Sequence, residues 1–336
     1  MKKILYVGNK LESKKVNISA IHTLGASLEK EGFEVYYSSS KTNKLARLLD
    51  MIWSCLTLSR KVDFVLIDTY STLNFYYAFI ISQLCRILRL KYITILHGGN
   101  LPNRLKQNPR LSSRIFNNAY KNVSPSLYLV DEFKNQGFID VVYIPNAIEI
   151  SKYPFLEKEY SSAKLLWVRS FSEIYNPSLA IHIFKELKDQ DIKTKLCMVG
   201  PDSDGSVEKI KQLANDFNLE VTFTGKLTKE AWIDLSKEFN IFLNTTNFDN
   251  MPVSVIEAMA LGLCVVSTNV GGLPYLINNN EDGLLVPPND KTSFVDSIKK
   301  VIDNPSAIKA MTTKARKKVE AYDWQIVRLK WHEVLR

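Results

Sequence analysis

Five short apolar runs, at residues 165–168, 195–199, 221–224, 241–243 and 264–267, are separated by segments of helical periodicity at 177–188, 206–217, 229–238 and 253–261. Strands spaced by helices cannot pair through tight hairpins. Each returns by a crossover, and the outcome is a parallel sheet with helices on both faces. The first half repeats the alternation, with strands read at 4–8, 34–38, 64–68 and 92–96 and a helix at 17–31. Strand ends follow at 122–125 and 141–145, and the polar stretch 151–162, containing Pro154, reads as a linker. The 336 residues therefore divide into two doubly wound α/β domains, with the cleft between them as the expected ligand site.

The last crossover is the most informative. A polar loop at 244–250 follows a strand, Pro252 opens the helix at 253–261, Gly262 closes it, and Gly271-Gly272 follows the next strand. Open parallel sheets bind ligands beyond the carboxyl ends of their strands, which brings Asp249, Glu257 and the glycine pair toward one crevice. Glu257 lies in an apolar helix and needs a partner, either a ligand hydroxyl or a neighbouring cation. The glycines either offer N–H groups to an anion or sugar oxygens, or simply make a turn.

Two helices of the first half are unusually apolar. One, at 44–58, places Leu45, Leu48, Leu49, Ile52, Trp53 and Leu56 at near-helical spacing. The other, at 74–90, carries Phe75, Tyr76, Tyr77, Phe79, Ile80 and Ile81, followed by Arg86, Arg89 and Lys91. They either cover a sheet on both sides or meet the interfacial zone of a membrane. Residues 1–150 hold 20 Lys and Arg against 11 Asp and Glu, whereas 151–336 hold 24 of each, so the whole excess of +9 lies in the first half. Such a bias attracts anionic lipid, nucleic acid or a charged substrate, or serves solubility.

A hydrophobic fraction of 46% excludes a disordered chain. Cys55, Cys85, Cys197 and Cys264 have no paired spacing, and the four histidines are scattered, so neither a disulfide framework nor a metal site is expected. Met1-Lys2-Lys3 runs straight into a strand, without the apolar segment and cleavage site of a secretory signal, so a cytoplasmic location is expected. No apolar run approaches the ~18–20 residues that span a bilayer. Beyond Pro287-Pro288, helices at 290–302 and 306–320 lead to a tail with Trp324, Leu329 and Trp331.

Over 164–290 this arrangement resembles the retaining glycosyltransferases of family 4. The resemblance rests on Asp249 and Glu257 at the family's eight-residue acidic spacing, on AMALG, on VVSTNVGG and on DGLLVPPND. It implies the GT-B fold of two facing Rossmann-like domains: an acceptor-binding domain over 1–155, a nucleotide-sugar domain over 160–320, and a terminal helix over 321–336 that packs back on the first. By position, Glu257 would hold the ribose hydroxyls of a UDP- or GDP-sugar and Asp249 the sugar hydroxyls. Asn250, Met251, Pro252 and Val253 would place backbone beside the sugar and diphosphate. Arg169 would bind the diphosphate, Gly8 would face the donor phosphates, and His97, at a strand end in His97-Gly98-Gly99, would face the reacting sugar. Asn146 in IPNA resembles the family's segment near the hinge.

The chain departs from the pattern in several places. Asp249 is one methylene shorter than the usual Glu. Ile174 stands where a diphosphate-binding Lys is common, leaving Lys226, or Tyr175 and Asn176, to supply that contact, and Tyr275 replaces the acidic residue often found after GGxP. The implied reaction is transfer of a hexose or related sugar, with retention and without metal, to a glycan or polyprenyl-linked glycan, with peripheral contact to an anionic membrane and no nucleic-acid partner. A GT-B epimerase or phosphorylase, or a nucleotide-sugar-binding protein without turnover, stand as alternatives.

Overall fold

The computed structural model describes residues 1–11 and 20–336. Two compact units are formed, one by Met1–Pro145 with Val327–Arg336 and the other by Asn146–Ile326.

The first unit is built from β1 (Lys3–Val7), α1 (Ala20–Lys30), β2 (Glu34–Ser38), α2 (Lys44–Leu58), β3 (Phe64–Thr69), α3 (Asn74–Ile87), β4 (Lys91–Leu96), α4 (Leu101–Gln107), α5 (Pro109–Phe116), β5 (Lys121–Ser124), α6 (Leu127–Asn135) and β6 (Val141–Tyr143). All its strand pairs are parallel, in the order β2-β1-β3-β4-β5-β6. Chain order reverses beside β1, so the loops leaving β1 and β3 diverge and open a crevice at their carboxyl ends. Every residue of β3 is buried, as a central parallel strand requires.

The second unit contains β7 (Ala163–Val168), α7 (Pro177–Asp189), β8 (Thr194–Val199), α8 (Val207–Asp216), β9 (Val221–Gly225), α9 (Lys229–Leu235), β10 (Ile241–Asn244), α10 (Val253–Ala260), β11 (Cys264–Thr268), α11 (Leu273–Leu276), β12 (Leu284–Val286), α12 (Lys291–Asp303) and α13 (Pro305–Val319). Its strands run parallel in the order β12-β11-β10-β7-β8-β9, with the reversal between β7 and β10. A final helix, α14 (Trp324–Val334), leaves this unit and joins the first, where Arg328 and His332 both reach Glu31, at 2.9 and 3.1 Å.

Local chemistry sets the helix ends. Asn43, Ser126, Thr228 and Asp290 accept backbone N–H groups at the starts of α2, α6, α9 and α12. Gly262 follows α10 at φ 80°, its N–H bonding Met259 and that of Leu263 bonding Ala258, which is a Schellman ending. The helix read at 17–31 is described from Ala20, and residues 17–19 lie outside the described residues. Helices α4 and α5 and the three-residue strand β12 have no counterpart in the sequence reading. Pro102 and Pro109 stand in the first turns of α4 and α5, where a missing N–H costs nothing.

Candidate functional site

Each unit gathers polar side chains at the switch point of its sheet. In the second unit, Arg169 follows β7 and Asp249 lies on the loop after β10. Arg169 Nη2 donates to Asp249 Oδ2 at 2.5 Å, and Nε donates to Asn244 Oδ1 at 3.3 Å. The guanidinium carbon lies 4.9 Å from the centre of the Tyr175 ring. The other oxygen of Asp249 accepts the N–H of Asn250 at 2.8 Å. This pair is largely buried, and loss of either member would leave an uncompensated charge.

Glu257 is buried on α10, the helix that follows this loop, and its Oε1 accepts from Tyr153 at 2.6 Å and from Lys229 Nζ. Burial, and then the carboxylate itself, raise the Tyr153 phenol well above the ordinary tyrosine range, so that it serves as a donor. Both bonds fall on one oxygen, and a carboxylate offers about four lone-pair positions, which leaves capacity for a ligand hydroxyl.

The loop between Asp249 and α10 is braced from two sides. Asn146 Nδ2 donates to Met251 O at 2.9 Å, and the N–H of Gly272 donates to Asp249 O at 3.0 Å. A Cβ on Gly271 would stand 2.0 Å from Asp249 O, and one on Gly272 would stand 1.7 Å from Asn250 O. Of the two readings of the glycine pair, these contacts favour the structural one: the Gly272 N–H is spent on the loop, and the pair is small because another backbone lies against it. Pro252 precedes the first turn of α10, Val253 opens it exposed, and Ser254 Oγ is buried there without a hydrogen-bond partner. Positive helix-end charge and an unused hydroxyl suit an anionic group such as a diphosphate.

In the first unit, Asp68 on β3 is buried. Its Oδ1 accepts from Tyr6 at 3.0 Å and meets His97 Nε2 at 2.8 Å, while Oδ2 is buried with no partner. A carboxylate has no hydrogen to give, so Nε2 carries one and Nδ1 is left for other contacts. The Tyr70 ring stacks on His97 with centroids 5.2 Å apart. Gly8, after β1, lies where a Cβ would come within 2.5 Å of Asp68 Oδ2. Burial first, then Asp68, raises the Tyr6 phenol well above its usual range and keeps it a donor.

The sequence candidates thus fall into two groups: Gly8 and His97 join Asp68 in the first unit, and Arg169, Asp249, Asn250, Met251, Pro252, Val253 and Glu257 share the loop and helix of the second. Lys226 lies exposed on the loop after β9, and Lys229, three residues on at the first position of α9, is the lysine that meets Glu257. Asp68, Tyr6, Tyr153, Lys229 and Ser254 had not been singled out. Asp68 did carry a signal, as an acid ending a wholly apolar strand. Among the described residues, no cluster of three or more His, Cys, Asp or Glu is placed to hold a metal ion, all four cysteines are free and buried, and no helix is long and apolar enough to cross a membrane.

Two parallel Rossmann-like sheets of this kind define the GT-B fold, and the likeness extends over the whole chain. A solved Anabaena protein, HepE, in complex with UDP-glucose superposes with a TM-score of 0.78 at 16% identity, covering 100% of this chain and 99% of that one. Residues 153–318, which include Arg169, Asp249 and Glu257, match the family described as Glycosyl transferases group 1. A glycogen synthase of Mycobacterium tuberculosis is 24% identical over 204 residues, 59% of this chain and 49% of that protein. The UDP-Gal:alpha-D-GlcNAc-diphosphoundecaprenol alpha-1,3-galactosyltransferase of Escherichia coli is 24% identical over 191 residues, 52% of this chain and 48% of its own length. The chain spans about half the length of these curated relatives.

Proposed function

We propose that the chain transfers a hexose or related sugar from a UDP- or GDP-sugar to a hydroxyl of a glycan or lipid-linked glycan, with the anomeric configuration retained. The observation that carries this reading is that the Arg169–Asp249 pair sits on the loop leading into α10, the helix that carries the buried Glu257, inside the stretch that matches the glycosyl transferase family. Glu257 meets the ribose hydroxyls, Asp249 the sugar hydroxyls, and Arg169 with the first turn of α10 the diphosphate.

As the diphosphate departs, positive charge grows on the sugar ring and negative charge on the leaving oxygen. Donors fixed before the reaction stabilise that oxygen without reorganising. A gain of about 3 kcal/mol in the transition state is worth roughly a hundredfold in rate. Because Asp249 already offsets the Arg169 charge, Lys226 and the α10 N–H groups share the anion. Within the first unit Asp68 orients His97, and the family resemblance assigns His97 to the reacting sugar and Gly8 to the donor phosphates.

HepE was solved with UDP-glucose and the E. coli relative's name specifies a diphosphoundecaprenol-linked acceptor, which supports a nucleotide-sugar donor and a lipid-linked acceptor. The deciding experiment is a nucleotide-sugar panel, with glycoside detection, in the presence of extracted lipid-linked glycans. A new glycoside with retained configuration is expected. Donor epimerisation, phosphate-dependent cleavage, or tight donor binding with no product across the panel would replace this reading.

A further inference from the structure

The outer face of α2 inverts the usual pattern of a surface helix. Leu45, Leu49, Trp53 and Leu56, spaced four, four and three residues apart, are exposed by 66, 58, 67 and 45%. Met51 and Cys55 point inward instead, and they share one core cluster with Tyr77, Ala78, Ile81 and Cys85 of α3. Both helices therefore cover the same face of the first sheet and turn their outer sides the same way. On that side α3 adds Tyr76, Ile80 and Ile87, all exposed. A helix facing water ordinarily carries polar residues there. A contiguous apolar stripe marks a surface that meets something apolar.

The surrounding charge indicates what that is. Segments 41–61 and 72–91 contain eight Lys and Arg and a single acid, Asp50. Asp50 is half-buried, and Ser38 donates to it at 3.2 Å. Lys41, Lys44, Arg60 and Lys61 bracket the stripe on α2, and Arg86, Arg89 and Lys91 lie at the end of α3, all exposed. An apolar strip with an exposed tryptophan at its middle and cations at its margins matches the boundary of an anionic bilayer, where side chains enter the acyl region and lysines and arginines meet the headgroups.

We propose that the outer faces of α2 and α3 dock on an anionic phospholipid surface, with Leu45, Leu49, Trp53 and Leu56 as the inserted residues. This deepens the reading of a lipid-linked acceptor, since it names the surface that would hold the chain beside one. Docking is measured without any donor and so stands or falls separately from sugar transfer.

The test uses the full chain with vesicles of phosphatidylcholine alone and with equal parts of phosphatidylglycerol. Trp53 is the built-in probe, because the other four tryptophans are buried. Co-sedimentation with the anionic vesicles, weakened by added salt, is expected together with a blue shift of the exposed tryptophan emission. Leu49→Ser with Leu56→Ser should lower partitioning by about tenfold or more, and Arg86→Gln with Arg89→Gln should weaken it selectively on the anionic vesicles. All four positions are exposed, and unchanged circular dichroism would confirm that the variants fold. No binding by the parent chain, binding without a Trp53 shift, or equal binding by the leucine variant would overturn the proposal. Concentration-dependent self-association abolished by the leucine variant would overturn it in favour of a second copy of the chain. Lost docking with intact transfer to a soluble acceptor would leave the proposed activity standing; intact docking with no transfer from any donor would do the reverse.

Discussion

Asp68 and His97 stand 29 residues apart in the chain, yet their side chains meet at 2.8 Å because β3 and β4 pair in register and end together. The buried carboxylate fixes which ring nitrogen of His97 is turned to the protein and which is left for a ligand. Replacing Asp68 with Asn keeps the shape but lets the imidazole adopt the other tautomer. We expect kcat to fall by roughly ten- to a hundredfold with the donor KM nearly unchanged, and the pH profile of kcat to move. An unaltered pH profile would show that the contact only packs.

Glu257 to Ala should chiefly impair donor recognition. It removes a carboxylate that Tyr153 and Lys229 both address, leaving a buried phenol unpaired. The donor KM is expected to rise at least about tenfold. Tyr153 to Phe, which removes one donor and leaves the acid, should cost about 1 kcal/mol of donor affinity. Titration calorimetry of both variants with the donor found by the panel separates the two effects, and an unchanged KM in the Glu257 variant would contradict the ribose assignment.

Arg169 to Ala deletes a cation and strands the Asp249 carboxylate in a largely buried position. We expect kcat/KM to drop by about a hundredfold or more, on the order of 3 kcal/mol. Lys at this position should recover part of the loss, because it restores charge without the planar fork. Near-parental turnover by the Ala variant would remove Arg169 from the diphosphate site.

Lys158 offers a pH test within the second unit. Its amine is buried, donating to Ser236 O at 3.0 Å, and burial, followed by Lys164 and Lys237, lowers its pKa from 10.5 to about 8. Below pH 8 the amine is charged in both folded and unfolded chains, and the cost of burying that charge is fully felt. Between about pH 8 and 10.5 the folded form has shed the proton and the unfolded form has not, so stability rises with pH across this window. Relative to Lys158 to Met, the parent should therefore gain on the order of 2 kcal/mol in urea unfolding between pH 7 and pH 10. A constant difference would falsify the shift.

Gly272 to Ala should loosen the donor loop, since the new methyl would lie 1.7 Å from Asn250 O. A stability loss of about 1–3 kcal/mol and a raised donor KM are expected together. A thermal melt and a KM both equal to those of the parent would mean that the two backbones separate freely.

Much of the fold was legible in the sequence because parallel strands buried on both faces leave uninterrupted apolar runs. Residues 64–68 and 264–267 are clear cases, and both lie in strands with every residue buried. Helices α4 and α5 were not legible, since their opening prolines read locally as breaks. The neighbourhoods of Asp249 and Glu257 followed from an eight-residue spacing within one segment. Their partners did not: Arg169 lies 80 residues from Asp249, Lys229 28 from Glu257 and Tyr153 104 from it, and only the sheet order brings them close. Asp68 with Tyr6 and His97 was hidden for the same reason, three residues on three separate strands or strand ends. The exposed side of α2 was hidden differently, because a helical period shows that one face is apolar without showing which way it turns.

The contact between Gly271-Gly272 and the backbone of residues 249–250 also limits how such a domain can diversify. Two loops from neighbouring strands fit together with no space for a methyl group, so neither can change length or course alone. Exchange of the donor loop between relatives would require transplanting residues 269–273 along with 245–252. If residues 245–252 hold the donor as proposed, new donor preferences are reached most readily by changing side chains on a fixed backbone, and position 249 is the place to test it.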